Sequence, residues 1–257
     1  IIPDKSIIET LIIGNNVTSI SLGFLNGYSA LKELSIPFIG DSLENTNNYT
    51  LPHIFGTTTY SNSYQAAISF DRFYIPNGLK KVTITGNITS LPSDAFNDLT
   101  TLEKVVLPNT LTSIGEFCFA NCKNVVVNIP NSVTSIGQRA FYAAHYVSYN
   151  GTAVDTENSF WYATHYNGTS DANGFVYDNN STDLYCYIGN NSTITVPNTF
   201  TTIGNTAFNK SLTSITIPNS VTTISSTAFS KCSNLTEINY TGSATGYPWG
   251  ATNLVNS

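Results

Sequence analysis

Residues 129–141 read IPNSVTSIGQRAF, and residues 217–229 read IPNSVTTISSTAF. Nine of the thirteen positions are identical although 88 residues separate the two stretches. Clear variants of the same wording lie at 107–119 and 196–208, and weaker ones at 84–96 and 13–25. A phrase that recurs in one chain indicates a structure built from repeats, so the spacing of the copies is the first property to measure.

The spacing of the copies is nearly constant. They start at residues 13, 36, 84, 107, 129, 196 and 217, which gives steps of 23, 48, 23, 22, 67 and 21 residues. The last strand pattern ends 23 residues further on, at Tyr240. The 48- and 67-residue steps are close to two and three times the short step. We therefore predict a solenoid of about ten coils of about 23 residues each.

Each repeat has a physical reading as one coil. In 212–218 apolar residues stand two apart, as in a strand with one buried face, and Pro218 ends the strand because it has no N–H to donate. In the copy at 129–141, an Asn-Ser turn leads to a second short strand at 133–137, where Gly137 is expected to permit a tight bend. Phe141 then places a ring between coils. The fold class is mostly β with short helical or irregular turns.

The wording IPxSVTxIGxxAFxxCxxLxxIxIP resembles the BspA-type leucine-rich repeat of bacterial and protist surface proteins. The resemblance covers nearly the whole chain and is strongest at 84–142 and 194–240. It implies a right-handed solenoid without a helix on every coil, displayed outside the cell. It also implies an association with adhesion to host or matrix proteins. We expect one leucine-rich-repeat solenoid domain over 1–257.

The repeat is interrupted at 38–75 and at 143–195. The first insertion is rich in aromatic residues, which either form an exposed recognition loop or pack against the solenoid flank; we favour packing. They are Phe38, Phe55, Tyr60, Phe70, Phe73 and Tyr74.

The second insertion holds Trp161, Tyr162 and Tyr166, together with a predicted β-hairpin at 174–188. Exposed Trp and Tyr could stack on sugar rings or anchor a protein, although packing between coils is the reading we favour. The segment 241–257 departs from the repeat, and we predict that it caps the last coil.

Composition restricts the classes of partner. Only 10% of the residues are charged, the net charge is −6, and the ten basic residues are scattered, which argues against nucleic acid or an anionic bilayer. No apolar stretch approaches the roughly 20 residues of a membrane-spanning helix. The chain begins IIPDK, without Met or a signal peptide, and we expect that any export signal or anchor has been removed.

No motif predicts an enzyme, a metal site or a cofactor site. Cys118 and Cys122 have zinc-type spacing but no second pair, and with Cys186 and Cys232 they are expected to be buried free thiols. The segment 171–183 fails the calcium-loop pattern, because its glycine stands at position 4 and a threonine at position 12. The three histidines, His53, His145 and His165, follow no catalytic motif.

Our leading hypothesis is a non-enzymatic extracellular or cell-surface module that binds a protein partner, such as an adhesin for host or matrix proteins. One alternative is a carbohydrate-binding surface module in which Trp161, Tyr162 and Tyr166 form the stacking platform. The other alternative is a structural spacer within a larger surface protein.

Overall fold

The computed structural model describes residues 4–42, 50–68, 71–153, 163–177, 182–189, 191–208 and 211–255. Within these ranges the side chains of Tyr166 and Thr169 are not described. The chain divides into two compact units, residues 1–166 and residues 167–257. Each unit is described by itself.

The first unit contains twelve strands in its described part. They are β1 Thr10–Ile12, β2 Glu33–Ile36, β3 Ser63–Ile68, β4 Asp71–Pro76, β5 Lys81–Ile84, β6 Ser90–Leu91, β7 Lys104–Val106, β8 Ser113–Ile114, β9 Val126–Asn128, β10 Ser135–Ile136, β11 Tyr146–Ser148 and β12 His165–Tyr166. Two short 3-10 helices, Lys5–Ile7 and Leu51–Phe55, accompany them.

The main sheet of the first unit has seven strands in the order β1-β2-β5-β7-β9-β11-β12, all parallel. Each strand belongs to a successive coil, so the side chains of one repeat position stand in line. Leu34, Val82, Val105 and Val127 point inward and are at most 4% exposed. This confirms the prediction that the Leu-x-x-Ile-x-Ile pattern forms a strand with one buried face.

Two further sides complete the coils that contain β5, β7 and β9. The second short strands form a parallel sheet in the order β10-β8-β6. On the remaining side the rings of Phe96, Phe119 and Phe141 stack nearly parallel, with centroids 4.8 and 5.2 Å apart. The backbone N–H of Phe119 donates to the carbonyl of Ala140 in the next coil at 2.7 Å. The predicted ring ladder between coils is therefore present.

The glycine after the second strand has a different role from the predicted bend. Its φ angle is not in the left-handed region at Gly115 or Gly137. Instead, a Cβ on Gly137 would lie 2.4 Å from the backbone nitrogen of Glu116, and one on Gly115 would lie 2.4 Å from that of Ser93. Glycine is needed here because adjacent coils bring their backbones into close contact.

The 48-residue step contains one turn of the solenoid. Strand β2 pairs directly with β5, with Glu33 opposite Lys81. The extra residues include the Leu51–Phe55 helix and an antiparallel hairpin of β3 and β4. Taken over both units, the described strands make about nine turns, close to the predicted ten.

The aromatic residues of the first insertion mostly pack, as favoured. Phe38, Phe55 and Phe73 are at most 6% exposed. Tyr60 and Tyr74 are partly exposed, and Phe70 lies outside the described residues. In the second insertion the wording of the repeat is lost, yet β11 and β12 continue the main sheet. Strand pairing in the first unit thus extends further than the sequence pattern.

The second unit contains eight described strands. They are β13 Thr169–Ser170, β14 Phe175–Tyr177, β15 Asp183–Tyr187, β16 Thr193–Thr195, β17 Thr202–Ile203, β18 Ser214–Ile217, β19 Thr223–Ile224 and β20 Glu237–Tyr240. Strands β16, β18 and β20 form one parallel sheet, and β15, β17 and β19 pair in parallel in a second sheet. The antiparallel pairing of β14 with β15 confirms the predicted hairpin.

Trp249, in the segment 241–257, packs against the last coil of the second unit. Trp249 is 1% exposed, and its ring lies 6.5 Å from that of Phe229 and 5.4 Å from that of Tyr240. Its indole N–H donates to the carbonyl oxygen of Thr245 at 2.7 Å. The core ring column of this unit, Phe208 on Phe229 at 4.9 Å, is therefore closed by an indole.

A second recurring phrase, Tyr-x-Gly-x-Ala, stands at 149–153 and 240–244. In each copy the Tyr hydroxyl accepts from the backbone N–H of the final Ala, at 2.7 and 2.8 Å. The same hydroxyls donate to the carbonyl oxygens of Val133 and Val221, at 2.5 and 2.6 Å. A Cβ on either Gly would lie 2.4 Å from the hydroxyl oxygen. This motif takes the place of the Pro-Asn turn where the repeat wording stops.

Candidate functional site

The outward surface of the seven-stranded sheet is the candidate site, and we call it the outer face. Because side chains alternate along a strand, the residues between the buried positions point to solvent. One column runs Thr10, Glu33, Lys81, Lys104 and Val126 in register. The other outward positions are Ile12, Ser35, Thr83, Val106, Asn128 and Ser148.

Charged residues concentrate on the part of the outer face formed by β1, β2, β5 and β7. Three ion pairs lie there: Glu9–Lys32 at 2.6 Å, Lys80–Glu103 at 2.6 Å and Glu33–Lys81 at 2.9 Å. Their side chains are 22–57% exposed, so solvent screens them and each stabilises the fold by less than about 1 kcal/mol. Their principal effect is on the charge that the face presents to solvent.

The neighbouring part of the outer face is uncharged. Val106 is 37% exposed, and Asn128 is exposed beside it on β9. The Ser148 hydroxyl donates to Asn128 Oδ1 at 2.6 Å, which fixes the orientation of that amide. The face thus joins a charged half to a half that offers aliphatic and amide contacts.

The backbone ladder holds the outward side chains of this surface at fixed positions. Neighbouring strands lie about 4.8 Å apart, so the outward side chains form a regular array.

In the described ranges no three His, Cys, Asp or Glu side chains come together in a way that could hold a metal ion. None of the helical segments in the described part of the chain has the length and apolarity that crossing a bilayer requires.

The predicted stacking residues cannot be placed on this surface. Trp161 and Tyr162 lie outside the described residues. The backbone of Tyr166 lies in β12, in register with Val147, and its side chain is not described. A sugar-stacking role for these three residues stays a prediction.

The three histidines lie in two places in the first unit. His145 is fully buried, and its ring meets that of His165 edge-on with centroids 5.4 Å apart. His53 is 8% exposed in the Leu51–Phe55 helix, where its ring lies 6.4 Å from that of Phe73. Burial lowers the pKa of His53, while Asp41 and Asp71 oppose the change.

The cysteines are buried and free, as predicted. Burial raises the pKa of all four thiols, that of Cys232 to about 12. Cys122 Sγ donates to the carbonyl oxygen of Phe96 at 3.0 Å, which joins two coils. A buried thiol that stays protonated acts as a small packing group and not as a nucleophile.

The turn at 171–175 also differs from a calcium loop. Asp171 Oδ1 accepts from the backbone N–H groups of Asn173 and Phe175, both at 2.9 Å. The carboxylate thus closes the turn by accepting both hydrogen bonds.

An apolar groove of about 550 Å³ lies at the edge of the first coil. Leu11, Ile12, Val17 and Phe24 are among the residues that line it. Ile12 and Phe24 are 72% and 51% exposed. Tyr28 is the one titratable side chain among the described residues that line the groove.

Sequence reasoning missed the lysines of the outer face. It treated the basic residues as scattered because they are far apart in the chain. The repeat spacing could have revealed them. When the strands are aligned on their buried residues Leu34, Val82 and Val105, the residues just before these become neighbours on adjacent strands. They are Glu33, Lys81 and Lys104.

Comparison with solved structures finds bacterial leucine-rich repeat proteins. A leucine-rich cell surface protein from Faecalibacterium prausnitzii is 22% identical, with 93% of this chain and 62% of that chain covered and a TM-score of 0.35. The pneumococcal vaccine antigen PcpA is 16% identical, with 93% and 51% covered and a TM-score of 0.33. A leucine-rich repeat protein from Eubacterium ventriosum is 20% identical, with 65% and 62% covered and a TM-score of 0.28.

This chain therefore spans 62% and 51% of the length of the first two structures. No curated protein matches its sequence. The family profile described as the BspA type leucine-rich repeat region matches it in six copies, over residues 66–160 and 180–248. These two segments make up more than half of the 257 residues and contain the stacked Phe rings and most of the strands described above. The chain belongs to the BspA-type leucine-rich repeat family.

Proposed function

We propose that this protein is a non-enzymatic cell-surface module that binds a protein partner through its outer face. The observation that carries the proposal is the array of outward side chains on seven parallel strands in register. Binding to a surface that is already ordered avoids the entropy cost of arranging loops at the moment of contact. Adhesion to a host or matrix protein is the role that membership of this repeat family supports.

The composition of the outer face fits a protein partner. Exposed Val106 and the exposed amide of Asn128 supply apolar and hydrogen-bonding contacts next to charged groups, which is the mixture found in protein interfaces. The buried thiols carry no activated nucleophile, because burial raises their pKa values.

The test is a binding assay of the purified chain against a panel of host matrix proteins, with a glycan array alongside. A face variant, Val106→Arg with Asn128→Arg, places two bulky cations on the outer face. A control variant, Tyr142→Arg with Thr112→Arg, makes the same charge change at exposed positions off that face.

We expect the wild type and the control variant to bind at least one matrix protein with similar affinity. The face variant should bind it about tenfold more weakly or not at all, since two central contacts are lost. Unchanged binding of the face variant would contradict the proposed surface. Binding to glycans alone would contradict a protein partner.

A further inference from the structure

The outer face carries an unusual grouping of like charges. Four of the ten basic residues of the chain, which we call the lysine cluster, lie on three adjacent coils: Lys32, Lys80, Lys81 and Lys104. Three glutamates accompany them, so this part of the face has a net charge of +1. The whole chain has a net charge of −6, and the remainder therefore carries −7.

The four lysines form two pairs of direct neighbours. Lys81 and Lys104 are register partners on β5 and β7. The backbone N–H of Lys80 donates to the carbonyl oxygen of Lys32 at 2.8 Å, so these two residues are also neighbours. Like charges directly opposite each other in a sheet are destabilising.

The glutamates compensate this repulsion incompletely. Glu9 pairs with Lys32, Glu103 with Lys80 and Glu33 with Lys81. Among the described residues, Lys104 takes part in none of these ion pairs. Lys104 is exposed, and its backbone lies in register with that of Lys81 on the neighbouring strand. A local conflict of this kind in an otherwise consistent repeat is typical of a functional position.

We infer that the lysine cluster docks an acidic segment of the protein partner, with a carboxylate placed between Lys81 and Lys104. This inference rests on the proposed function and adds the chemical class of the partner. Charge complementarity selects an acidic ligand and also speeds its encounter with the face. Val106 lies two residues after Lys104 on the same strand and is 37% exposed, which favours a polypeptide that carries apolar side chains as well.

The binding test uses the full chain and three named probes. They are a synthetic peptide of alternating Glu and Val, a peptide of alternating Lys and Val, and heparin as an anionic polysaccharide. The cluster variant is Lys81→Gln with Lys104→Gln. The matched control is Arg72→Gln with Lys123→Gln, which removes the same charge from exposed positions off the outer face.

We expect the Glu-Val peptide to bind the wild type and the control about equally, and the cluster variant about tenfold more weakly. Added salt should weaken the interaction with the wild type, since the charges are exposed. Equal binding to the cluster variant and the wild type would overturn the inference. So would tighter binding of heparin than of the Glu-Val peptide, or failure of the wild type to bind that peptide.

A second variant, Lys104→Glu, provides an independent readout. The new carboxylate would lie beside Lys81 and would replace a repulsive pair with an attractive one. We expect the urea midpoint of unfolding to rise while binding of the Glu-Val peptide is lost. A lower midpoint, or unchanged peptide binding, would refute the repulsion between Lys81 and Lys104 on which the inference depends.

These outcomes separate the acidic-partner inference from the proposed function. If the chain binds a matrix protein through the outer face but ignores the Glu-Val peptide, the acidic class is wrong and the binding surface stands. If the face variant leaves matrix-protein binding unchanged, the proposed surface fails regardless of the peptide result.

Discussion

At the scale of single residues, Phe119 lies between two other rings and makes the clearest prediction about packing. It is fully buried, with Phe96 on one side and Phe141 on the other. Phe119→Ala would remove the ring and leave a cavity between coils, at a cost of about 3–5 kcal/mol of unfolding free energy. Tyr142→Ala, at a position that is 46% exposed, serves as the control.

Urea titration measures both variants. A loss below about 1 kcal/mol for Phe119→Ala would show that the ring column is not part of the core.

His53 makes a prediction about pH at the same scale. Burial lowers its pKa below 6.5 in the folded state, whereas in the unfolded chain it titrates near 6.5. The unfolded state therefore binds the proton more readily as the pH falls. The stability that neutral His53 contributes is full above pH 6.5 and is lost as the pH falls through the lowered folded pKa.

The check is the urea midpoint at pH 7.5 and pH 5.5 for the wild type and for His53→Gln. The wild type should lose more stability between the two pH values than the variant does. An equal loss in both proteins would show that His53 is not responsible.

At the scale of elements, the distance between coils depends on glycine. Gly137→Ala would force a Cβ to within 2.4 Å of the Glu116 nitrogen, and backbone atoms on a packed coil cannot move aside. We expect a loss of about 2–4 kcal/mol, as for overpacking without room to relax. Gly14→Ala is the control, because a Cβ there meets nothing within 4 Å.

Thermal unfolding of the two variants tests whether the close approach at Gly137 requires glycine. The Gly137→Ala protein should melt well below wild type and the Gly14→Ala protein close to it. Similar melting temperatures would contradict the role assigned to the close approach.

The Tyr-x-Gly-x-Ala motif predicts that the Tyr240 hydroxyl stabilises the coil at which the Pro-Asn turns stop. Tyr240→Phe would leave the Val221 carbonyl and the Ala244 N–H without the hydroxyl that joins them. The cost should be about 1–3 kcal/mol, the penalty for leaving such groups without a partner. Tyr185→Phe is the matched control, since Tyr185 is 39% exposed.

Equilibrium unfolding in urea measures both tyrosine variants. If Tyr240→Phe behaves like Tyr185→Phe, the hydroxyl bridge does not stabilise the coil that it joins.

At the scale of the whole molecule, the sequence predicts the fold better than the site. A strand that repeats Leu, Ile and Ile at fixed spacing has one buried face, so β18 and the Phe column follow from the repeat pattern. The packing of Trp249 on the last coil does not follow from it, because the segment 241–257 departs from the repeat. The single turn in the 48-residue step was not predictable, because the pairing of β2 with β5 depends on how the intervening residues pack.

The site is harder to predict because its residues follow no repeat. Lys81 and Lys104 are not part of the consensus; they become neighbours only after the strands are placed in register. The stacking role of Trp161, Tyr162 and Tyr166 stays a prediction, as their side chains lie outside the described structure. Packing positions repeat, whereas recognition positions differ from coil to coil.

The most direct test of the outer face is a lysine footprint of the chain with and without a bound matrix protein. Acetylation at each lysine is measured by mass spectrometry. The account predicts that Lys81 and Lys104 are protected in the complex while Lys5 and Lys123 react as in the free chain. Protection of Lys5 or Lys123 with full reactivity at Lys81 and Lys104 would contradict binding through the outer face.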